Sequence, residues 1–280
     1  MNETYLEFCF QLQPAEMELA SDRFFDLGAL GVEELDPGRI KVYFPIGIEG
    51  LEQQLVNLAK NLPQAQLLLD SREEKPILNW QENWKEHFKP LHIGRRIWVR
   101  PPWEEQRPDL LEVVIHPGMG FGTGYHESTR LALEALEDLA AQGQLGKVLD
   151  VGAGSGILTI AALKLGATEV VACEIDPDSL AEVPHNLALS GLEAWKVDCL
   201  LGGPALVQGE VDSLLANITG DVHMELAADY LRICRGRLML SGVLPEWVEP
   251  IKTRLAPAFR LVWQKELKSW QALVLERVLP

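Results

Sequence analysis

Two different rhythms of apolar and polar positions run along this chain. In the first, residues 4–11 alternate as a strand does. Residues 14–27 then place Met17, Leu19, Ala20, Phe24 and Leu27 at helical spacing, until Gly28 and Gly31 break the pattern. Residues 31–35 and 39–44 form two short strands around the turn Asp36-Pro37-Gly38. Residues 49–61 are helical, with Leu51, Leu55, Leu58 and Ala59 in register, and residues 64–70 close with a strand. The order β-α-β-β-α-β predicts a ferredoxin-like α+β domain over residues 1–71.

Residues 72–105 read as a connector. Its first part, 79–90, has helical spacing through Trp80, Trp84 and Phe88 and stops at Pro90. Residues 91–100 then look like one strand, and Pro101-Pro102 ends it. Gly and Ser are scarce here, so this is not a flexible linker.

The second rhythm begins at Leu111. Strands at 111–115, 147–151, 169–174, 194–198, 211–216 and 237–241 alternate with helices at 128–141, 157–165, 177–190, 222–233 and 245–255. Pro184 falls inside the third of these helices and is expected to kink or shorten it. Segments 259–266 and 270–277 look like an antiparallel pair. Alternating strands and helices predict an α/β domain over 106–280, its mostly parallel sheet covered on both faces.

Composition narrows the function. The 280 residues are 47% hydrophobic, enough for a sizeable core, and the formal net charge is -16. Affinity for nucleic acid comes largely from Lys and Arg, so neither DNA nor direct RNA binding is expected. An acidic surface attracts basic partners and also serves plain solubility. Cys9, Cys173, Cys199 and Cys234 form no CxxC pair and have no His cluster beside them, so neither a metal site nor a disulfide framework is expected. They suit a reducing compartment, and the chain is expected to be cytoplasmic. No segment has the roughly 20 apolar residues that span a bilayer.

Candidate chemistry starts at Lys147-Val-Leu-Asp150-Val-Gly152-Ala-Gly154-Ser-Gly156. An apolar strand runs into three glycines, and a helix follows at once. Glycines permit the tight turn and a close ligand approach, and the helix start offers free N–H groups. Dinucleotide enzymes use a similar loop, but with GxGxxG spacing rather than GxGxG. Asp150 also opposes a pyrophosphate, whereas it suits a ligand bearing an ammonium group, as S-adenosylmethionine does. Glu174 ends the next strand, about 20 residues on, where an acidic side chain accepts hydrogen bonds from ribose hydroxyls. A solvated strand-end charge is the plainer alternative, and the glycine loop upstream favours the ribose role. Asp176 before Pro177 reads as a helix cap.

Asn217 sits at the C-terminal end of a short apolar strand, where open α/β sheets bind ligands. Such an Asn accepts a hydrogen bond from a substrate N–H, and a simple turn Asn fits the spacing equally well. The loop His116-Pro-Gly-Met-Gly-Phe121-Gly-Thr-Gly-Tyr-His126-Glu-Ser128-Thr129 is flexible enough to cover a ligand, and Ser128 or Thr129 is expected to cap the following helix. His126 reads as structural.

Together these pieces resemble the ribosomal protein L11 methyltransferase family (PrmA type). The stretch PGMGFGTGYHESTRLAL, residues 117–133, follows that family's most specific signature, and LDVGAGSGILTIAALKLGA, residues 149–167, matches its cofactor loop. EIDPDSL resembles its DIDPxAL, with Glu174 in place of Asp. Asn217, LSGVL at 240–244 and NWKEHFKPLHIG at 83–94 also fall in order. The resemblance implies a class I, Rossmann-like methyltransferase domain that uses S-adenosylmethionine and is preceded by a ferredoxin-like domain that recognises the basic large-subunit ribosomal protein L11. The implied targets are lysine side chains and the N-terminal α-amine. The implied cofactor contacts are Thr129, Gly152, Glu174 and Asn217, with Phe121 and its loop lying against the cofactor. Thr219-Gly220 departs from the residues usual after that Asn. Another methyl acceptor, such as a different protein amine or an rRNA base, and a non-catalytic scaffold are the competing readings. The first is disfavoured for RNA by the acidic charge, and the second by the joint presence of the glycine loop, Glu174, Asn217 and Thr129.

Overall fold

Alternation along an inner strand of a small sheet sets the first part of the structure. The computed structural model describes residues 4–12, 17–36, 39–48, 50–61, 68–76, 88–116, 124–143, 145–193 and 196–278. The chain falls into two units, Met1–His87 and Phe88–Pro280. The first contains β1 (Thr4–Gln11), α1 (Met17–Asp26), β2 (Gly31–Asp36), β3 (Arg39–Pro45), α2 (Leu51–Asn61) and β4 (Leu68–Pro76). Its sheet order is β2-β3-β1-β4, all antiparallel, which is the ferredoxin-like arrangement. In β3 every second residue is buried, so Ile40, Val42 and Phe44 join Phe8 and Phe10 of β1 and Phe24 of α1 in one core. Phe10 stacks on Phe24 at 5.0 Å. β4 extends beyond the expected 64–70, because its polar continuation Ser71–Pro76 pairs with β1 as far as Thr4. Backbone pairing to an existing strand sets that end, and the side-chain pattern does not show it.

The second unit opens with β5 (Leu91–Ile93), β6 (Ile97–Arg100) and β7 (Leu111–Val114) in one small sheet. The single strand expected over 91–100 is two. Gly94 turns with φ 62°, and the backbone N–H groups of Arg95 and Arg96 donate to the buried Glu137 carboxylate at 2.6 and 2.9 Å. The helix expected over 79–90 lies largely outside the described residues.

Then come α3 (Glu127–Ala141), β8 (Lys147–Val151), α4 (Ile157–Lys164), β9 (Glu169–Glu174), α5 (Pro177–Leu189), β10 (Val197–Leu201), β11 (Val211–Asn217), α6 (Gly220–Ile233), β12 (Cys234–Val243), α7 (Pro245–Leu255), β13 (Phe259–Leu267) and β14 (Trp270–Arg277). Seven strands form one sheet in the order β10-β9-β8-β11-β12-β14-β13. All neighbours are parallel except β14, which runs antiparallel between β12 and β13. Consecutive strand residues face opposite layers. Val148, Leu215 and Met239 join the core with α3 and α4, while Leu149, Leu214 and Leu240 join the core with α6 and α7. Burying each such side chain stabilises by about 2 kcal/mol. α5 runs across Pro184, whose ring is exposed, while Val183, Asn186 and Leu187 bury the other face.

The chain moves outward from β8 to β9 and β10, then returns to β11 on the far side of β8. That reversal opens a crevice beyond the C-terminal ends of β8 and β11, the place where open α/β sheets hold ligands.

Candidate functional site

Both strand ends at this crevice carry residues singled out by the sequence. β8 delivers Asp150 and then the turn with Gly152, Gly154 and Gly156 at φ 71°, 52° and 80°. The N–H groups of Gly152 and Ala153 both donate to the Cys173 carbonyl, at 2.9 and 3.1 Å, which ties the loop to the end of β9. A Cβ on Gly152 would lie 2.7 Å from Ile218 Cγ2, so this loop needs glycine in order to pass beneath the segment after β11. Gly156 is the N-cap residue of α4, with no side chain to cover the free N–H groups behind it.

Asp150 is wholly buried. Thr159 Oγ1 donates to its Oδ2 at 2.6 Å, and its Oδ1 has no partner among the described residues. Burial pushes this carboxyl up to about 6 from 3.8, and the Thr159 hydrogen bond opposes the shift.

Glu174 ends β9. Its Oε2 accepts from Gly154 N at 3.0 Å, and its Oε1 accepts from the N–H groups of Ile175 and Asp176 at 2.8 and 3.1 Å. The side chain therefore holds the glycine loop as well as facing the crevice. A carboxylate offers about four lone-pair sites, so with three of them used about one remains open to a ligand. Asp176 caps α5 as expected, accepting from Asp178 and Ser179.

Asn217 ends β11. Its Nδ2 donates to Thr129 Oγ1 at 3.2 Å, while its Oδ1 is buried with no partner among the described residues. Thr129 is itself fully buried in the first turn of α3. The expected cap of α3, Ser128 or Thr129, is instead His126, whose Nδ1 accepts from Ser128 N at 3.3 Å. A ring nitrogen does the work of the expected hydroxyl, and Thr129 is left to face Asn217. The ring also packs edge-on to Trp270 at 4.8 Å.

Two structural residues here escape a reading of the sequence alone. Asn186 donates from Nδ2 to the Ser155 carbonyl at 2.9 Å and accepts from His116 N at 2.9 Å, which clamps the glycine loop to the end of β7. Its one signal is a polar residue at an inward helical position beside Val183 and Leu187. Ser241, on β12 opposite Asn217, donates to the Ser128 carbonyl at 2.7 Å. The departure at Thr219-Gly220 also has a local cause. A Cβ on Gly220 would lie 2.2 Å from Trp247 Cγ, so the ring leaves room only for glycine.

The crevice thus gathers Asp150, Gly152, Gly154, Gly156, Glu174, Asn217 and Thr129 on adjoining elements. Phe121 lies in 117–123, outside the described residues.

A mostly parallel sheet with one antiparallel strand next to the edge, and a GxGxG turn backed by acidic residues at two strand ends, defines a class I, Rossmann-like methyltransferase. The sequence profile described as Ribosomal protein L11 methyltransferase (PrmA) matches residues 4–278, and the chain belongs to this family. A Geobacter sulfurreducens ribosomal protein L11 methyltransferase is 35% identical over 279 residues, covering 88% of this chain and 89% of that one. A Pseudomonas aeruginosa protein of the same name is 32% identical over 286 residues, covering 95% and 96%. The crystal structure of ribosomal protein L11 methylase from Lactobacillus delbrueckii subsp. bulgaricus superposes with TM-score 0.61 at 29% identity, covering 68% of this chain and 98% of that one. The chain is an S-adenosylmethionine-dependent methyltransferase.

Proposed function

We propose that this enzyme methylates lysine side chains and the N-terminal α-amine of ribosomal protein L11. The observation that carries this is Asn217 Oδ1, a buried acceptor without a partner among the described residues, held in place by Thr129 beside the glycine loop. The names of the relatives support the ribosomal target.

The residues present fit the cofactor. Asp150 Oδ1 is a buried acceptor with no partner among the described residues and suits an ammonium group, and the glycine turn leaves its backbone bare. Glu174 would take a ribose hydroxyl at its remaining acceptor site, and Gly152, Gly154 and Gly156 would let the amino-acid end approach the chain. Phe121 and its loop would cover the cofactor. When bound, S-adenosylmethionine supplies a methyl group activated by a positively charged sulfur.

The remaining chemistry belongs to the side chains around the acceptor. Asn217 Oδ1 accepts a hydrogen from the incoming amine and aims its lone pair, and Thr129 fixes the amide that does so. Alignment of this kind supplies a large part of a displacement barrier. The amine must arrive neutral, which comes more readily to an α-amine with pKa about 8 than to a lysine near 10.4. Residues 1–71 recognise the ribosomal protein and 106–280 carry the chemistry. The net charge of -16 suits a basic partner. The four cysteines are free thiols, in keeping with a cytoplasmic setting, and no helix among the described residues is long and apolar enough to cross a membrane.

The direct test supplies labelled S-adenosylmethionine and a ribosomal fraction with unmethylated large-subunit proteins. Label mapped to amines of L11 supports the proposal, and label confined to another protein or to RNA overturns the target.

Asp150 gives a second expected result. Folding raises its pKa, so the neutral carboxyl stabilises the cofactor-free fold fully below pH 3.8, and that stability is lost as pH rises through about 6. The melting temperature of the cofactor-free protein, relative to Asp150→Asn, should therefore fall across that window. Cofactor binding favours the carboxylate instead, so calorimetry should show wild-type affinity weakening below pH about 6. An affinity independent of pH between 5 and 7 would remove Asp150 from the ammonium site.

A further inference from the structure

Three buried polar side chains lie behind Asn217, where apolar packing would be the default. Thr129, Ser241 and His223 are 0%, 0% and 1% exposed. Ser241 stands on β12 directly opposite Asn217 on β11. Its hydroxyl donates to the Ser128 carbonyl at 2.7 Å, in the same helical turn as Thr129. Its carbonyl accepts from Ile218 N at 3.2 Å, the residue after Asn217, and from His223 Nε2 at 2.9 Å.

Because a carbonyl only accepts, His223 carries its proton on Nε2, and Nδ1 takes the Tyr230 hydroxyl at 3.1 Å. Burial lowers the His223 pKa to about 4, so the ring is neutral at physiological pH. The next residue, Gly242, has φ 77°, and a Cβ there would lie 2.3 Å from the Ile218 carbonyl. The strand end is therefore pressed against the segment that follows Asn217.

We propose that Ser241, backed by His223, is a positioning residue that holds Asn217 at two points. Through its carbonyl it holds the backbone after Asn217. Through its hydroxyl it holds the turn whose Thr129 takes the Asn217 amide. The inference rests on the reading that Asn217 directs the acceptor amine. Among the described residues the side chain of Asn217 has one hydrogen bond to keep it in place, from Nδ2 to Thr129, so any drift of the α3 turn moves Oδ1. Burying a hydroxyl costs free energy unless it is hydrogen-bonded, and Ser241 directs its bond to the turn that sets this orientation.

The test is a double-mutant cycle on the full enzyme with unmethylated L11 and S-adenosylmethionine. Ser241→Ala should lower kcat about tenfold, the worth of one hydrogen bond, while cofactor Kd and the KM for L11 stay within about twofold. Ser241→Ala combined with Asn217→Ala should be no slower than Asn217→Ala alone, because the positioned group is gone. A general loosening of the fold would instead multiply the two losses. Unchanged kcat in Ser241→Ala, or multiplied losses in the double variant, overturns the positioning role if Asn217→Ala is itself slow. Full turnover by Asn217→Ala sinks the reading of Asn217, and this inference with it. His223→Leu carries the same cycle independently of the serine. His223→Gln, which keeps a side-chain N–H for the Ser241 carbonyl, should recover most of the rate, and failure to exceed His223→Leu would remove His223 from the arrangement.

Discussion

Gly152→Val should weaken S-adenosylmethionine binding by about 100-fold or more, since about 2.7 kcal/mol of distortion corresponds to that factor. Gly152 has φ 71°, a conformation that costs a non-glycine residue about 1–2 kcal/mol and a β-branched one more. The first added carbon would lie 2.7 Å from Ile218 Cγ2, so the turn or Ile218, in the segment after β11, must shift. Either movement disturbs the crevice. The turn holds Gly154, whose N–H donates to Glu174, and Ile218 follows Asn217 directly. Gly166→Val is the matched control. That glycine also has a positive φ, 102°, but a Cβ there meets nothing within 4 Å. It should lose stability without losing cofactor affinity. Calorimetry on both variants, with circular dichroism to confirm folding, decides the matter. Native affinity in folded Gly152→Val would show that the cofactor does not approach this turn.

Asn217→Ala should lower kcat by about 100-fold while cofactor Kd changes severalfold at most, the pattern of a contact used mainly in the transition state. The alanine removes the buried Oδ1 that awaits a donor and leaves Thr129 Oγ1 without the amide it accepts from. The glycine turn, Asp150 and Glu174 remain, so the cofactor should still bind. Steady-state kinetics with L11, beside a direct cofactor titration, separate the two effects. A loss confined to cofactor affinity would make Asn217 a binding residue and leave the amine to be aligned by other groups.

Much of this site is legible one segment at a time. The GxGxG turn is legible because a strand, three glycines and a helix follow one another, and three positive φ angles in five residues require such a composition. Glu174 and Asn217 are legible as strand ends because apolar runs stop there. Asp176 is legible as a cap because a carboxylate before proline at a helix start has few other roles. The ferredoxin-like order of the first unit follows from alternating and helical spacing alone.

Other features depend on residues far apart in the chain. Nothing near Asn217 indicates that its amide rests on Thr129, 88 positions away, or that Ser241 backs both of them. Asn186 resembles an ordinary helix residue until packing places it between Ser155 and His116. His126 takes the cap from the hydroxyls beside it, and its ring rests against Trp270, on a strand far along the chain. The pair at 259–266 and 270–277 is visible as antiparallel, but the insertion of β14 between β12 and β13 is not. Periodicity, turn glycines and the Asp176 cap are set by neighbours within a few residues, and the sequence alone determines them here. Strand order, buried hydrogen bonds between elements and the acceptors at Asp150 and Asn217 that no described residue satisfies arise only when distant segments pack, so the tertiary structure decides them.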